Sequence, residues 1–178
     1  MTFEIPTKEV VSTKNQKIFD KLETSLGMVP NLYAMLAYSD NALQAYINLE
    51  NSPSSLSKRQ LEVVNLVVSE VNGCMYCLSA HTVFSKLNGF SDQEILELRN
   101  ASASFDASLD VLAKLSYSLT KNRGHVDPEL VDRFFDAGYT KENLMDLIMI
   151  VGDRTISNIL HAVTKARIDF PLAPVLSI

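Results

Sequence analysis

The only two cysteines of the chain stand as Cys74-x-x-Cys77, directly after Asn72-Gly73, and His81 follows four residues later. On a helix each residue turns about 100°, so Cys77 lies about 60° from Cys74 and His81 about 40° from Cys77. The spacing therefore predicts two thiols and an imidazole on one narrow stripe. Gly73 breaks the preceding helix and puts the pair in the first turn of the next. Free backbone N–H groups and the positive end of the helix dipole favour an anion there. The anion of cysteine is the thiolate, its reactive form. Thiols three residues apart can also close a disulfide without unwinding a turn, and His81 can move the proton that thiol chemistry requires near neutral pH.

A carboxylate completes the set. Glu62 interrupts the apolar run Leu61, Val63, Val64, Leu66, Val67 and Val68. If the two helices fold back antiparallel about Asn72-Gly73, Glu62 is ~16 Å from the turn and His81 ~13 Å from it on the other side. The two side chains would then lie abreast, and a carboxylate bonded to one imidazole nitrogen fixes its tautomer and raises its basicity. Asn65 and Ser69 share the face of Glu62, and Tyr76 stands between the cysteines; these three are candidates to line or support the site. Glu70 falls beside the helix start in a more exposed position. Which thiol ionises first is open: the helix start favours Cys74, the neighbouring imidazole Cys77.

The elements that must position these groups read as helices. Start and stop signals predict helices over 14–26, 30–37, 41–51, 57–72, 75–88, 95–100, 105–121, 127–138 and 140–166. Ser57/Gln60 and Ser91/Glu94 have capping-box spacing, and Ser39-Asp40 would cap the third helix. The β-branched residues over 63–68 compete for strand, but the cap before them and the continuing period decide for helix. With only 6 glycines and 6 prolines, no repeat and no linker, residues 1–178 read as one all-α domain built around the antiparallel pair that carries the cysteines. Met35, Met145 and Met149 are expected to fill the core, His125 to be solvated, and His161 to pack within the protein or at a subunit contact. The tail 170–174 reads as extended.

Composition narrows the function. At 178 residues with 47% hydrophobic and 21% charged residues, the chain can bury a full core. A formal charge of −5 with no Lys/Arg cluster argues against nucleic acid as a partner. The longest strongly apolar run, 144–151, contains Asp146 and is too short to cross a bilayer. The start, Met1-Thr2-Phe3-Glu4-Ile5-Pro6, lacks the features of a secretory signal. A cytoplasmic protein without membrane contact is expected, and there a Cys-x-x-Cys pair serves redox chemistry or half a metal site. Zinc could use Cys74, Cys77, His81 and Glu62, but structural zinc usually recruits a second paired motif, and the sequence has none. No phosphate loop or dinucleotide fingerprint is present. Neither cofactor nor metal is expected.

A glutamate twelve residues before Cys-x-x-Cys and a histidine four after it resemble the AhpD-like alkylhydroperoxidase, or carboxymuconolactone decarboxylase, family. The likeness is strongest over 62–90, through Asn72-Gly73-Cys74, Tyr76-Cys77, Ala80-His81 and Gly89-Phe90. The ending Ile168-Asp169-Phe170-Pro171-Leu172-Ala173-Pro174 resembles the close of its peroxidase-related branch. The resemblance implies an all-helical domain that assembles into homo-oligomers, often trimers or hexamers. It also implies that peroxide oxidises Cys77 to a sulfenic acid, that Cys74 closes the redox disulfide with it, and that Glu62 and His81 relay protons. An external dithiol or disulfide reductase would restore the pair. Tyr76 stands where the best-studied branch has histidine, so that branch's full relay does not carry over. Members that decarboxylate muconolactone generally lack the cysteine pair. Three readings follow: a thiol-dependent peroxidase reducing hydroperoxides; a disulfide reductase or electron-delivery adaptor to a separate peroxidase; and a non-enzymatic helical oligomer that binds metal or senses oxidants.

Overall fold

The computed structural model describes residues 3–176. Among them are nine helices and no strand: α1 (Thr13–Leu26), α2 (Asn31–Leu36), α3 (Ala42–Glu50), α4 (Lys58–Val71), α5 (Met75–Leu87), α6 (Asp92–Arg99), α7 (Ala107–Lys121), α8 (Pro128–Asp136) and α9 (Lys141–Thr164). None is long and apolar enough to cross a membrane.

The central element is α4, which packs against α5, α6, α7 and α9. Its capping box forms as the spacing predicts: Ser57 Oγ accepts from Gln60 N, and Gln60 Oε1 accepts from Ser57 N at 2.8 Å. From Glu62 to Ser69 every side chain is buried. A helix enclosed on all sides explains the β-branched run. Valine costs at most about 0.7 kcal/mol in helix propensity, whereas burying its side chain gains about 1.5 kcal/mol or more. Burial wins, and Val63, Val64, Val67 and Val68 sit in the main core with Leu66, Leu112, Leu115, Phe134 and Leu147.

The chain reverses between α4 and α5 in a few residues. Gly73 takes φ +64°, a left-handed conformation that favours glycine, and Cys74 N donates to Ser69 O at 2.9 Å. The antiparallel pair forms as expected, but Cys74 does not lie in the first turn. It is the N-cap residue of α5, with extended backbone. A smaller layer, α1 to α3, closes over one end through Ile18, Phe19, Leu22, Ala34 and Leu43. After α9 the tail runs back without regular structure across α5, where Ala173 N donates to Ser79 Oγ at 3.1 Å.

Several expectations shift. Pro30 caps α2 from outside rather than starting it, and Asp106 caps α7, leaving Phe105 outside the helix. Ser39, not Asp40, receives the amides of Asn41 and Ala42. Helix α6 begins three residues earlier than its apolar pattern suggests, because Ser91 and Glu94 form their capping box. Met35 is buried, but Met145 and Met149 are exposed rather than core filler. The reason lies in α9, whose inward positions are filled by Leu144, Leu147, Ile150 and Val151 against the main core in its first half and by Asp153, Arg154, Ser157 and Asn158 further on. The methionines are on its outward face.

Candidate active site

Helix α4 brings Glu62 to the middle of the antiparallel pair, and α5 brings His81 opposite. The His81 imidazole Nδ1 lies 2.9 Å from Glu62 Oε2, with both side chains buried. The register estimated from distance to the turn is thus the register observed. His81 and Cys77, one turn apart on α5, line the same cavity.

The sulfurs are deeply placed, Cys74 at 2% exposure and Cys77 at 1%, and both are free thiols. As N-cap, Cys74 Sγ accepts from Cys77 N at 3.4 Å. The two thiols also share a hydrogen bond, and it splits their acidities. The bond donated by Cys74 is the largest influence holding Cys77 below the ordinary thiol range; Arg154, His81 and Ser157 add to it and together outweigh burial, which brings Cys77 to about 5. Cys74 moves the other way, held protonated by its bond to Cys77 and by burial. The site thus assigns the thiolate to Cys77 and the remaining proton to Cys74.

The cation responsible is one that motif reading missed. Arg154, from the inward face of α9, donates through Nε to Asn65 Oδ1 at 3.1 Å and through Nη2 to Asp153 Oδ2 at 3.1 Å and Glu50 Oε1 at 3.3 Å. Its Nη1 donates to Ser157 Oγ at 3.3 Å, and that oxygen lies 3.6 Å from Cys77 Sγ. Burial opposes its charge, but Tyr46, Asp153, Glu50 and Cys77 outweigh burial and keep the guanidinium protonated. The available signal was the adjacent opposite charges Asp153-Arg154 shortly after the apolar run 147–151, since a buried charge must be paired. Spacing to the cysteines could not reveal it, because the residues are about 80 positions apart.

The supporting candidates divide. Asn65 holds Arg154, so it acts through the cation rather than on the sulfur directly. Ser69 Oγ accepts from Asn158 Nδ2 at 3.5 Å, and Asn158 Oδ1 accepts from Asn72 Nδ2 at 2.9 Å. These groups flank Cys74, whose thiolate Asn158 would also favour. Tyr76 does structural work: its hydroxyl accepts from Leu32 N at 3.2 Å at the start of α2, and its ring packs on His161 and Phe170. Burial raises its pKa and keeps it neutral. Glu70 lies away from the cysteines, bonded to Arg99 at 2.7 Å, and His125 is exposed in its loop.

A cavity of about 130 Å³ opens onto Cys77, His81 and Arg154. Its walls are largely aromatic and aliphatic, with Tyr33, Tyr46, Tyr76, Phe84, Phe170 and Leu32 among them. Tyr33 donates to Glu50, which anchors that carboxylate on the outer side of Arg154. Phe170 is set over the cavity because Asp169 Oδ2 accepts from Asn31 N at 2.6 Å and Asn31 Nδ2 donates to Arg167 O at 2.9 Å. Among the described residues, no three of His, Cys, Asp and Glu converge as a metal site requires. Glu62 is turned to the imidazole, not to the sulfurs.

Comparison with known proteins bears on the fold and its lineage. The model of the carboxymuconolactone decarboxylase family matches residues 38–120, which include the whole α4–α5 pair. No curated protein matches the chain. A crystal structure of an uncharacterized peroxidase-related protein from Silicibacter sp. TM1040 superposes with a TM-score of 0.81 and 24% identity, covering 93% of this chain and 90% of that one. An uncharacterized peroxidase-related protein from Ralstonia eutropha JMP134, described as an alkylhydroperoxidase AhpD core, gives 0.84 at 17% identity over 94% and 91%. The debrominase Bmp8, solved with 2,3,4-tribromopyrrole, gives 0.73 at 15% identity over 88% and 86%. The fold, the family match and the helix pair agree: this chain has the AhpD-like helical fold, and its residues 38–120 are similar to the carboxymuconolactone decarboxylase family.

Proposed function

We propose that the protein is a thiol-dependent peroxidase that reduces small organic hydroperoxides through Cys77 and Cys74. The observation that carries this reading is the unequal pair: an ionised Cys77 at the floor of an apolar cavity, beside a protonated Cys74 and a Glu62–His81 dyad. The thiolate attacks one peroxide oxygen and the O–O bond breaks. Cys77 becomes a sulfenic acid, and the departing alkoxide takes a proton from His81, whose other nitrogen is held by Glu62. Cys74 then attacks the Cys77 sulfur and expels water, with its own proton completing the leaving group. The peroxide is reduced by two electrons to an alcohol and water, and the pair is oxidised to a disulfide. An external dithiol reverses the oxidation by exchange.

Cavity size supports an organic substrate, since an apolar cavity of about 150 Å³ accommodates a benzene-sized guest. Deep burial of both sulfurs supports the peroxidase over the adaptor reading. A peroxide can enter the cavity, whereas exchange with a partner protein needs an exposed sulfur.

The test is consumption of cumene hydroperoxide by purified protein with dithiothreitol as reductant. Turnover is expected for the natural chain and lost in Cys77→Ser. In Cys74→Ser, a single dimedone adduct located by mass spectrometry on Cys77 is the expected trap of the sulfenic acid. Full turnover by Cys77→Ser would refute the assignment. So would faster bromide release from a bromopyrrole than peroxide loss, which would make the protein a dehalogenase.

A further inference from the structure

The tail that follows α9 has no regular structure of its own to hold it. Pro171 and Pro174 stiffen it, since each fixes its own φ and disfavours helical backbone at the residue before it, Phe170 or Ala173. Hydrogen bonds then tie it down on both sides of Phe170. Before it, Arg167 O accepts from Asn31 Nδ2 at 2.9 Å and Asp169 Oδ2 from Asn31 N at 2.6 Å. After it, Ala173 N donates to Ser79 Oγ at 3.1 Å, and Pro174 O accepts from Arg99 Nη1 at 2.7 Å.

The Phe170 ring meets two aromatic side chains of α5 edge-on, Tyr76 at 5.8 Å and Phe84 at 6.0 Å between centroids. Tyr76 and Phe84 lie two turns apart, ~12 Å along the helix, with Ala80 between them on the same row. A methyl group cannot fill that gap, and the Phe170 ring spans it. Tyr76, Ala80, Phe84 and Phe170 all line the cavity that holds Cys77 and His81. Phe84 also packs against the His81 ring, 5.8 Å away. Phe170 itself is only half-buried, so its ring is a wall with solvent behind it rather than part of a core. Leu26, Met28 and Pro30, from the link between α1 and α2, form another wall. Asn31, the first residue of α2, is where that wall and the tail are joined.

We infer that Phe170 is the size-determining residue of the cavity: the tied tail holds its ring across the gap at Ala80 as a fixed gate, so that only compact molecules reach Cys77. Replacing the phenyl group by a methyl removes a wall about as large as the benzene-sized guest that a cavity of about 130 Å³ admits. The gate acts on any reagent that approaches the thiolate. On the peroxidase reading, on which this last step rests, the substrates are hydroperoxides of compact organic groups, up to about one aromatic ring in girth. Those carrying several rings on the peroxidic carbon are shut out.

The test is the rate at which Cys77 is alkylated in a Cys74→Ser background, which leaves one thiol in the chain. Iodoacetamide is the compact probe and N-(1-pyrenyl)maleimide the bulky one. Phe170→Ala is expected to raise the pyrenylmaleimide rate by about tenfold or more and to change the iodoacetamide rate by less than about twofold, as relief of an overpacked contact would. Phe170→Leu is expected to shift the bulky probe in the same direction by less, and it carries the test should Phe170→Ala lose helical circular dichroism. Leu172→Ala, on an exposed residue of the same tail, is expected to change neither rate. Equal acceleration of both probes, no acceleration of the bulky one, or the same gain from Leu172→Ala would overturn the gate. In the two-cysteine chain, Phe170→Ala is expected to raise kcat/KM for triphenylmethyl hydroperoxide about tenfold relative to cumene hydroperoxide. Turnover with an unchanged preference would overturn the gate. Selective alkylation without peroxide consumption by either chain would overturn the peroxidase reading and leave the gate standing.

Discussion

Replacing Cys74 by alanine removes the strongest influence on Cys77, the bond donated by the neighbouring thiol, and leaves Arg154, His81 and Ser157 in place. Cys77 should therefore titrate higher than its natural value of about 5, since burial is then opposed only by those three. The effect on rate is not simply proportional to thiolate. At pH 7 an ordinary thiol is about 3% ionised and Cys77 about 99%, a gain of about 30-fold. Intrinsic nucleophilicity falls with pKa, however, and a slope of about 0.4–0.5 over ~3.5 units removes about 40-fold. The two effects nearly cancel at neutrality. They separate in acid: at pH 5.5 the ionised fractions are about 75% and 0.1%, which leaves the natural Cys77 about 20-fold faster than an ordinary thiol. The measurement is the rate of iodoacetamide alkylation against pH, with ultraviolet thiolate absorbance as an independent titration. The natural protein should give a profile that levels above about pH 6, and Cys74→Ala one whose rise is displaced upward by at least a unit. Cys74→Ser, which retains a donor, should fall between them. A natural midpoint near 8.5, or identical midpoints for all three proteins, would refute the shared-proton account.

Glu62→Gln keeps a hydrogen-bonding group beside His81 but removes the carboxylate that accepts from its Nδ1 and orients the ring; peroxide turnover should drop by about 10² or more while the folded structure persists, as read by steady-state kinetics alongside circular dichroism. Arg154→Met leaves Glu50 and Asp153 without their shared cation and should cost about 3–5 kcal/mol in denaturant unfolding; Arg154→Lys should recover part of it. Stability should also depend on pH through Cys77. A thiol whose pKa folding depresses contributes stability that is complete above its unfolded value of about 8.5 and is lost as pH falls through its folded value, about 5. Cys74, raised by folding, keeps its proton in both states across that interval and adds no slope. Cys77 should make unfolding free energy rise with pH between these limits by at most about 1.4 kcal/mol per unit; His161, lowered by burial, adds a rise below about 6.5, so Cys77→Ser should remove the slope between about pH 6.5 and 8 and leave the His161 contribution below it.

Local signals in the amino-acid order determined a good deal here. Caps and glycine stops delimit the helices to within a few residues, because each depends on side chains adjacent to the backbone groups they satisfy. The pairing of Glu62 with His81 was likewise legible, since a tight reversal at Gly73 converts distance along the chain into height along two antiparallel axes. What spacing could not decide was which sulfur ionises, because that depends on charges brought from elsewhere. Arg154 and Ser157 reach Cys77 from α9 only after the helices pack, with Glu50 of α3 bonded to the guanidinium, and the N-cap position of Cys74 sets its sulfur beside Cys77. The same packing reverses the reading of α9: Asp153, Arg154, Ser157 and Asn158 face inward to the site and the methionines outward, because the positions of the first half that reach the core are already taken by Leu144, Leu147, Ile150 and Val151.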